Sequence, residues 1–282
     1  MSLHDGNGIR TTVFFKGCNL RCKWCHNPET FRKQKELSWI GKQCIKCGIC
    51  VQECQSKALE IKGNEIARNP ELCTFCRKCV NNCFAEAHQI LGKEYTVTKL
   101  CDEVEKDRFV FERSGGGVTI SGGEPMVQFP FLKLLLKELN SRKIHVCLQT
   151  NLSFEWEKYE EIIPYIDYFM CDLKHIYPEE HLYWTGRDNR TILANLENLD
   201  KSGKLYCVRT PVVPGVNNDP ETMKQISGFV STLKNPDYFE LLPFHRLATY
   251  KYKNIGMDYE FERISEIPEE EFRSLQKQFQ IK

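Results

Sequence analysis

The 282-residue chain has no excess of either charge, with 39 basic residues against 38 acidic ones. No global field therefore favours nucleic acid or an anionic membrane surface. It also lacks an uninterrupted apolar stretch approaching the length of a membrane span, and its N-terminus carries no secretory apolar region. A cytoplasmic, soluble protein is expected, with neither nucleic acid nor membrane among its partners. Without an oxidising compartment, disulfides are not expected either. Low-complexity tracts are missing, and a hydrophobic content of 41% suits one large domain or two small ones.

What the chain does have is cysteine: fifteen in all, eleven of them in three runs. The first is Cys18-x3-Cys22-x2-Cys25. The second is Cys44, Cys47, Cys50 and Cys54, and the third is Cys73, Cys76, Cys79 and Cys83. The two four-cysteine runs have the spacing of bacterial ferredoxin modules, in which three thiolates bind one cluster and the fourth reaches across to the other. Two complete [4Fe-4S] clusters are implied. The first run offers only three thiolates to a third cluster, so one iron is left open, which is what separates a catalytic metal site from a closed structural one. Zinc is the competing reading of Cys-x2-Cys pairs, but each four-cysteine run is too compact for a two-lobed zinc layout, and soft thiolate sets also select iron-sulfur clusters. Cys101, Cys147, Cys171 and Cys207 read as small buried hydrophobes.

Short β-branched or aromatic runs at 11–15, 118–121, 144–149, 168–173, 205–213 and 238–242 read as buried parallel strands. Helical patterns lie between them. The clearest follows Pro130, where Leu132, Leu135, Leu136 and Leu139 share one face; others are expected over 99–112, 155–163, 189–202 and 221–233. Alternating strands and helices predict an α/β fold, a partial (β/α)6 TIM-like barrel with its chemistry at the C-terminal strand ends. About a hundred residues separate the first two strands, and the doubled cysteine pattern sits there. The chain is expected to divide into a barrel of residues 1–36 and 92–282 and an inserted ferredoxin-like domain of residues 37–91, held together by metal more than by an apolar core.

Several motifs together carry a family resemblance. His4-Asp5-Gly6-Asn7-Gly8-Ile9-Arg10, the loop from Gly17 through Cys18, Cys22, Trp24, Cys25, His26 and Asn27 to Pro28, and Ser121-Gly122-Gly123-Glu124-Pro125 are the first three. Asp172-Leu173-Lys174, Val213-Pro214-Gly215 and Leu241-Leu242-Pro243-Phe244-His245 complete the set. The chain resembles the radical S-adenosylmethionine enzymes that activate glycyl radical enzymes. The resemblance implies an oxidoreductase in which S-adenosylmethionine binds the open iron and is cleaved reductively to a 5'-deoxyadenosyl radical. That radical would take hydrogen from a backbone glycine in a loop of the partner, a glycyl radical enzyme. It also implies an electron donor of flavodoxin or ferredoxin type, an anaerobic setting, and a monomer.

Residue roles follow by the same resemblance. Gly122 and Gly123 lack side chains, so backbone can approach a ligand closely, and the Gly-Gly-Glu124 turn would hold the methionyl ammonium group. Trp24 would offer an aromatic face to adenine, with polar edges from His26 and Asn27. Asp172 and Lys174, flanking Leu173, share a strand face and would meet polar groups of the cofactor. Arg209 is a charge inside an otherwise apolar strand and needs an anionic partner; the cofactor carboxylate or an internal salt bridge would serve. His245 would also contact the cofactor, and Asp5 would help seat the glycine loop.

The chain departs from the family pattern at Asn7, Gln55 and Phe84, where proline is usual. At Gln149-Thr150-Asn151-Leu152 relatives carry an acidic residue first and glycine last, so no cation site is carried over. Met1 stands directly before the first motif, where relatives have a further strand-like segment, and the N-terminus reads as clipped. Two other readings compete with an activase: a radical enzyme acting on a small molecule or another peptide, and an electron carrier whose barrel has lost catalysis.

Overall fold

The computed structural model describes Ser2 and residues 5–279. Met1 and His4, the latter opening the first motif, lie outside the described residues. In chain order the strands are β1 (Arg10–Phe15), β2 (Glu36–Trp39), β3 (Leu59–Lys62), β4 (Glu65–Arg68), β5 (His88–Leu91), β6 (Gly117–Gly122), β7 (Val146–Thr150), β8 (Tyr168–Asp172), β9 (Leu205–Val212) and β10 (Pro236–Pro243). β1, β6, β7, β8, β9 and β10 form one six-stranded parallel sheet in that order. Among the described residues β1 and β10 do not pair with each other, so the barrel stays partial. All six expected barrel strands are present.

Helices return the chain from each strand to the next. α1 (Ile49–Gln52) and α2 (Lys78–Asn81) are single turns in the cysteine-rich region; α3 (Val97–Glu105) and α4 (Arg108–Ser114) precede β6. α5 (Phe129–Ser141), α6 (Trp156–Ile162), α7 (Pro178–Thr185), α8 (Arg190–Lys201) and α9 (Pro220–Thr232) separate the later strands, and α10 (Thr249–Asn254) and α11 (Glu269–Phe279) follow β10. The helix expected over 99–112 is two, broken at Lys106 and Asp107. The leucine stripe of α5 is fully buried at Leu132, Leu135, Leu136 and Leu139. Burying each such side chain stabilises the fold by roughly 1.5–3 kcal/mol. The four remaining cysteines are buried as expected, with Cys147 and Cys207 packed beside Met170 and Tyr168.

Between β1 and β6 the chain leaves the barrel. β2 and β5 pair antiparallel from Glu36 with Leu91 to Trp39 with His88, and both four-cysteine runs lie between them. The runs repeat a backbone as well as a spacing. Cys44 and Cys73 stand 29 positions apart, as do Cys54 and Cys83. At the same interval Lys46 and Phe75, Gly48 and Arg77, and Lys57 and Glu86 share positive φ angles. Among the described residues, five of the seven non-glycine residues with positive φ sit in this region. Such backbone costs energy for a side-chain-bearing residue, so the loops must gain something by wrapping tightly. Each fourth cysteine accepts a backbone N–H four residues on: Ala58 donates to Cys54 Sγ at 3.2 Å and Ala87 to Cys83 Sγ at 3.3 Å.

Candidate active site

At the C-terminal ends of the barrel strands lies a cleft walled on one side by the first cysteine loop. Cys18, Cys22, Trp24, Cys25, His26 and Asn27 all line it, and Asp5 reaches it from the N-terminal segment. The loop is held on both flanks. Gly17 N–H donates to Thr30 O at 2.8 Å, and Arg21 and Lys23 donate to backbone carbonyls of Thr185 and Trp184. Within it Cys25 N–H turns back to Cys22 O, and Asn27 N–H points at Cys25 Sγ. Burial raises all three thiol pKa values, that of Cys25 to about 12. Thiols so protected ionise only when a cation binds them. Three soft donors of that kind on one loop, all lining one cleft, suit an iron-sulfur cluster by their chemistry.

Gly122 and Gly123 line the cleft with backbone, but the space they leave open is used by the protein itself. A Cβ on Gly122 would lie 2.3 Å from the N and O of Phe15, and one on Gly123 would lie 2.3 Å from Gly17 O. The glycines let β6 run tight against β1 and the cysteine loop; Gly123 and Glu124 N–H donate to Phe15 and Gly17 carbonyls. The Glu124 side chain turns away from the cleft and is fully buried. It accepts from Met126 N–H at 3.1 Å, Thr150 Oγ1 at 2.9 Å and Asn151 N–H at 2.8 Å. Burial pushes its carboxyl up to about 7 against the pull of those donors.

Across the cleft, Asp172, Arg209 and Glu240 occupy matched positions on β8, β9 and β10. Asp172 and Lys174 share a face as expected and pair at 3.0 Å. Burial alone would lower the Lys174 pKa, but the Asp172 carboxylate outweighs it and holds the amine charged. Arg209 lines the cleft with its side chain only 11% exposed, 3.6 Å from Glu240. It is Nε that faces the Glu240 carboxylate, beyond hydrogen-bond distance, while Nη1 meets Met170 Sδ at 3.2 Å, so the internal salt bridge named above as one alternative is present. Leu173 behaves differently from its neighbours: its side chain is in the core and its N–H donates to Arg209 O.

His245, just past β10, does not line the cleft but stacks on His26 with ring centroids 3.9 Å apart. Burial, then His245 and Lys251, drive the His26 pKa down to about 4, so its ring is neutral. His26 Nε2 and His245 Nδ1 are both buried without a partner. Trp24 sits 4% exposed, edge-on to Phe261 at 6.2 Å, so one part of it packs while another meets the cleft. Lys251 on α10 ties the loop down by donating to Asn27 Oδ1 and Glu29 Oε1, each at 2.7 Å. Ser121, given no role of its own above, and Gln149, where no cation site was carried over, line the cleft and bond each other at 2.7 Å. Their position at the ends of barrel strands was the available signal.

The two four-cysteine runs form two further cavities. One is lined by Cys73, Cys76, Cys79 and Cys54. The other is lined by Cys44, Cys47, Cys50 and Cys83. Three cysteines from one run and the fourth from the other line each.

A parallel partial barrel with a three-cysteine loop at its mouth defines a class, the enzymes that cleave S-adenosylmethionine at a cluster. Residues 70–226 match the Radical SAM superfamily, and residues 4–72 match a 4Fe-4S single cluster domain. The trans-4-hydroxy-L-proline dehydratase activating enzyme of Clostridioides difficile is 39% identical over 99% of this chain and 93% of its own length. The (2S)-3-sulfopropanediol dehydratase activating enzyme of Klebsiella oxytoca is 36% identical over 93% of this chain and 85% of its own. Among solved structures, Streptococcus suis SuiB bound to precursor peptide SuiA shares the fold, with a TM-score of 0.54 and 16% identity over 95% of this chain and 44% of that one. The chain belongs to the radical SAM superfamily, and within it to the activating enzymes of glycyl radical enzymes.

Proposed function

We propose that this enzyme installs a glycyl radical on a partner enzyme using three [4Fe-4S] clusters, one catalytic and two in an inserted domain of residues 37–91. The observation that carries the cluster count is the crossing of the cysteine runs into two four-thiol cavities, beside a separate three-thiol loop in the barrel cleft. When bound, the catalytic cluster would supply the electron that cleaves S-adenosylmethionine.

The chain's own residues would do the rest. Cys18, Cys22 and Cys25 would hold the catalytic cluster with three thiolates, leaving one iron without a cysteine ligand. Arg209, which lines the cleft, would donate from its guanidinium to the methionyl carboxylate, and backbone at Gly122 and Gly123 would bound the ammonium side. The ion pair of Asp172 and Lys174 would meet the ribose and other polar groups. His26 and Asn27, braced by His245 and Lys251, would border the adenine with Trp24 behind them. Glu124 would act by fixing the 150–151 loop rather than by touching the cofactor. Asp5, already bonded to Thr12 at 2.6 Å, would stand where the glycine loop of the partner enters. Burial of the thiols and walls rich in protein atoms would keep water from the reacting carbon.

The two inserted clusters would relay electrons from a flavodoxin or ferredoxin-type donor. Iron and sulfide analysis of the anaerobically reconstituted chain tests the cluster count. Twelve irons per chain are expected on this reading, about four per cluster; a chain that saturates at one cluster's worth would overturn it.

A further inference from the structure

The two inserted cavities are built by a repeated backbone but are not chemically equal. The difference lies at one repeated position. Leu59 lines the cavity of Cys73, Cys76, Cys79 and Cys54, and His88, 29 positions on, lines the cavity of Cys44, Cys47, Cys50 and Cys83. Each opens a strand directly after the alanine whose N–H donates to the crossing cysteine. His88 is 3% exposed, and neither Nδ1 nor Nε2 has a hydrogen-bond partner.

A buried imidazole with both nitrogens unpartnered is costly, because each polar atom has given up water for nothing. In either tautomer one ring nitrogen carries a proton and can donate. The cavity it lines is walled by four thiols and by Ile45, Phe84 and Ala87. The acceptors that belong there are the sulfurs of a cluster. Hydrogen bonds to cluster sulfurs stabilise the more negative, reduced state and so raise the reduction potential.

We propose that His88 donates a ring N–H to the cluster held by Cys44, Cys47, Cys50 and Cys83 and raises its reduction potential above the value a leucine at that position would leave. His88 is a positioning residue for electron transfer and ligates nothing. The proposal rests on the reading that these four cysteines hold a cluster. Leu59 offers the other cluster no such bond. That cluster has a lesser substitute, the Ser56 hydroxyl 3.6 Å from Cys54 Sγ, at a position where the His88 cavity has Ala85. The two relay clusters therefore differ through their side chains, while their backbone N–H contacts match.

The test is an EPR-monitored redox titration of the loaded full-length protein, with its iron content measured first. Iron short of three clusters in the unaltered protein would overturn the cluster reading and the proposal with it, whereas full iron with unmoved midpoints would overturn the proposal alone. In His88→Leu one cluster should become harder to reduce, by about tenfold in its reduction equilibrium or about 59 mV for one electron. The other signals should not move. His88→Gln, which keeps an N–H, should restore most of the loss. The reciprocal Leu59→His should raise the potential of the other inserted cluster, and this variant decides the matter if His88→Leu fails to load iron. Unchanged midpoints in both His88→Leu and Leu59→His, or a shift shared equally by both inserted clusters, would overturn the proposal.

Discussion

Replacing Glu124 with alanine should damage the fold before it touches the cofactor. The carboxylate accepts from Met126 N–H, Thr150 Oγ1 and Asn151 N–H, all within 3.1 Å and all buried. Thr150 Oγ1 can turn to Tyr159 Oη, 3.2 Å away, so it keeps a partner. The two backbone N–H groups cannot move, and each buried donor left unsatisfied costs about 1–3 kcal/mol. The loss is then about 2–6 kcal/mol, a large share of the stability of a typical domain. A central value of about 4 kcal/mol corresponds to a fall in melting temperature of roughly 8–16 °C. Glu124→Gln keeps one acceptor and should lose about half as much.

The same side chain sets a pH dependence. Its folded pKa, about 7, lies above the ordinary 4.5 because burial disfavours the charge. The folded state therefore binds the proton more tightly. Its contribution is complete below about 4.5 and is lost as pH rises through about 7. Relative to Glu124→Gln, which does not titrate, the unaltered protein should gain stability as pH is lowered from about 8 to about 5. Anaerobic calorimetry or circular dichroism melting reads both effects. A Glu124→Ala protein melting within a degree or two of the parent would refute the reasoning, as would a gap to Glu124→Gln that widens with rising pH in the parent's favour.

Three further outcomes follow from the geometry. Cys54→Ala should empty the cavity it shares with Cys73, Cys76 and Cys79 while the cluster of the run containing Cys44 persists; Mössbauer spectra should show about one third of the iron lost. Gly123→Ala should fail to fold or to load the barrel cluster, since its Cβ would meet Gly17 O at 2.3 Å, whereas Gly228→Ala in α9 meets nothing and should add up to about 1 kcal/mol in a melt. Arg209→Leu should weaken S-adenosylmethionine binding roughly tenfold or more in calorimetric titration, the worth of a charge-assisted bond of about 1.5–3 kcal/mol.

Much of this architecture is legible from the sequence because its signals are local and strong. Six β-rich runs became the six barrel strands, and the cysteine spacing matches which cysteines line the same cavity. What escaped depends on tertiary detail. α7 buries only His181 and Thr185, which bond each other at 3.0 Å, so it leaves no apolar periodicity to read. Gly122 and Gly123 announce close approach, but only the fold shows that β1 and the cysteine loop, rather than a ligand, fill the space. Glu124 looks like a cleft residue until its three donors, two of them from a loop 26 and 27 positions on, turn it inward. His88 carries no signal in isolation; its meaning comes from the repeat that aligns it with Leu59.

The most direct test of the central assignment is anaerobic incubation of the reduced, cluster-loaded protein with S-adenosylmethionine and a glycine-loop peptide. Release of 5'-deoxyadenosine and loss of peptide Cα hydrogen would be followed together. The structure predicts release that rises when the peptide is present, with hydrogen from its glycine carried into the product. Fully loaded clusters with no release, with or without peptide, would contradict it.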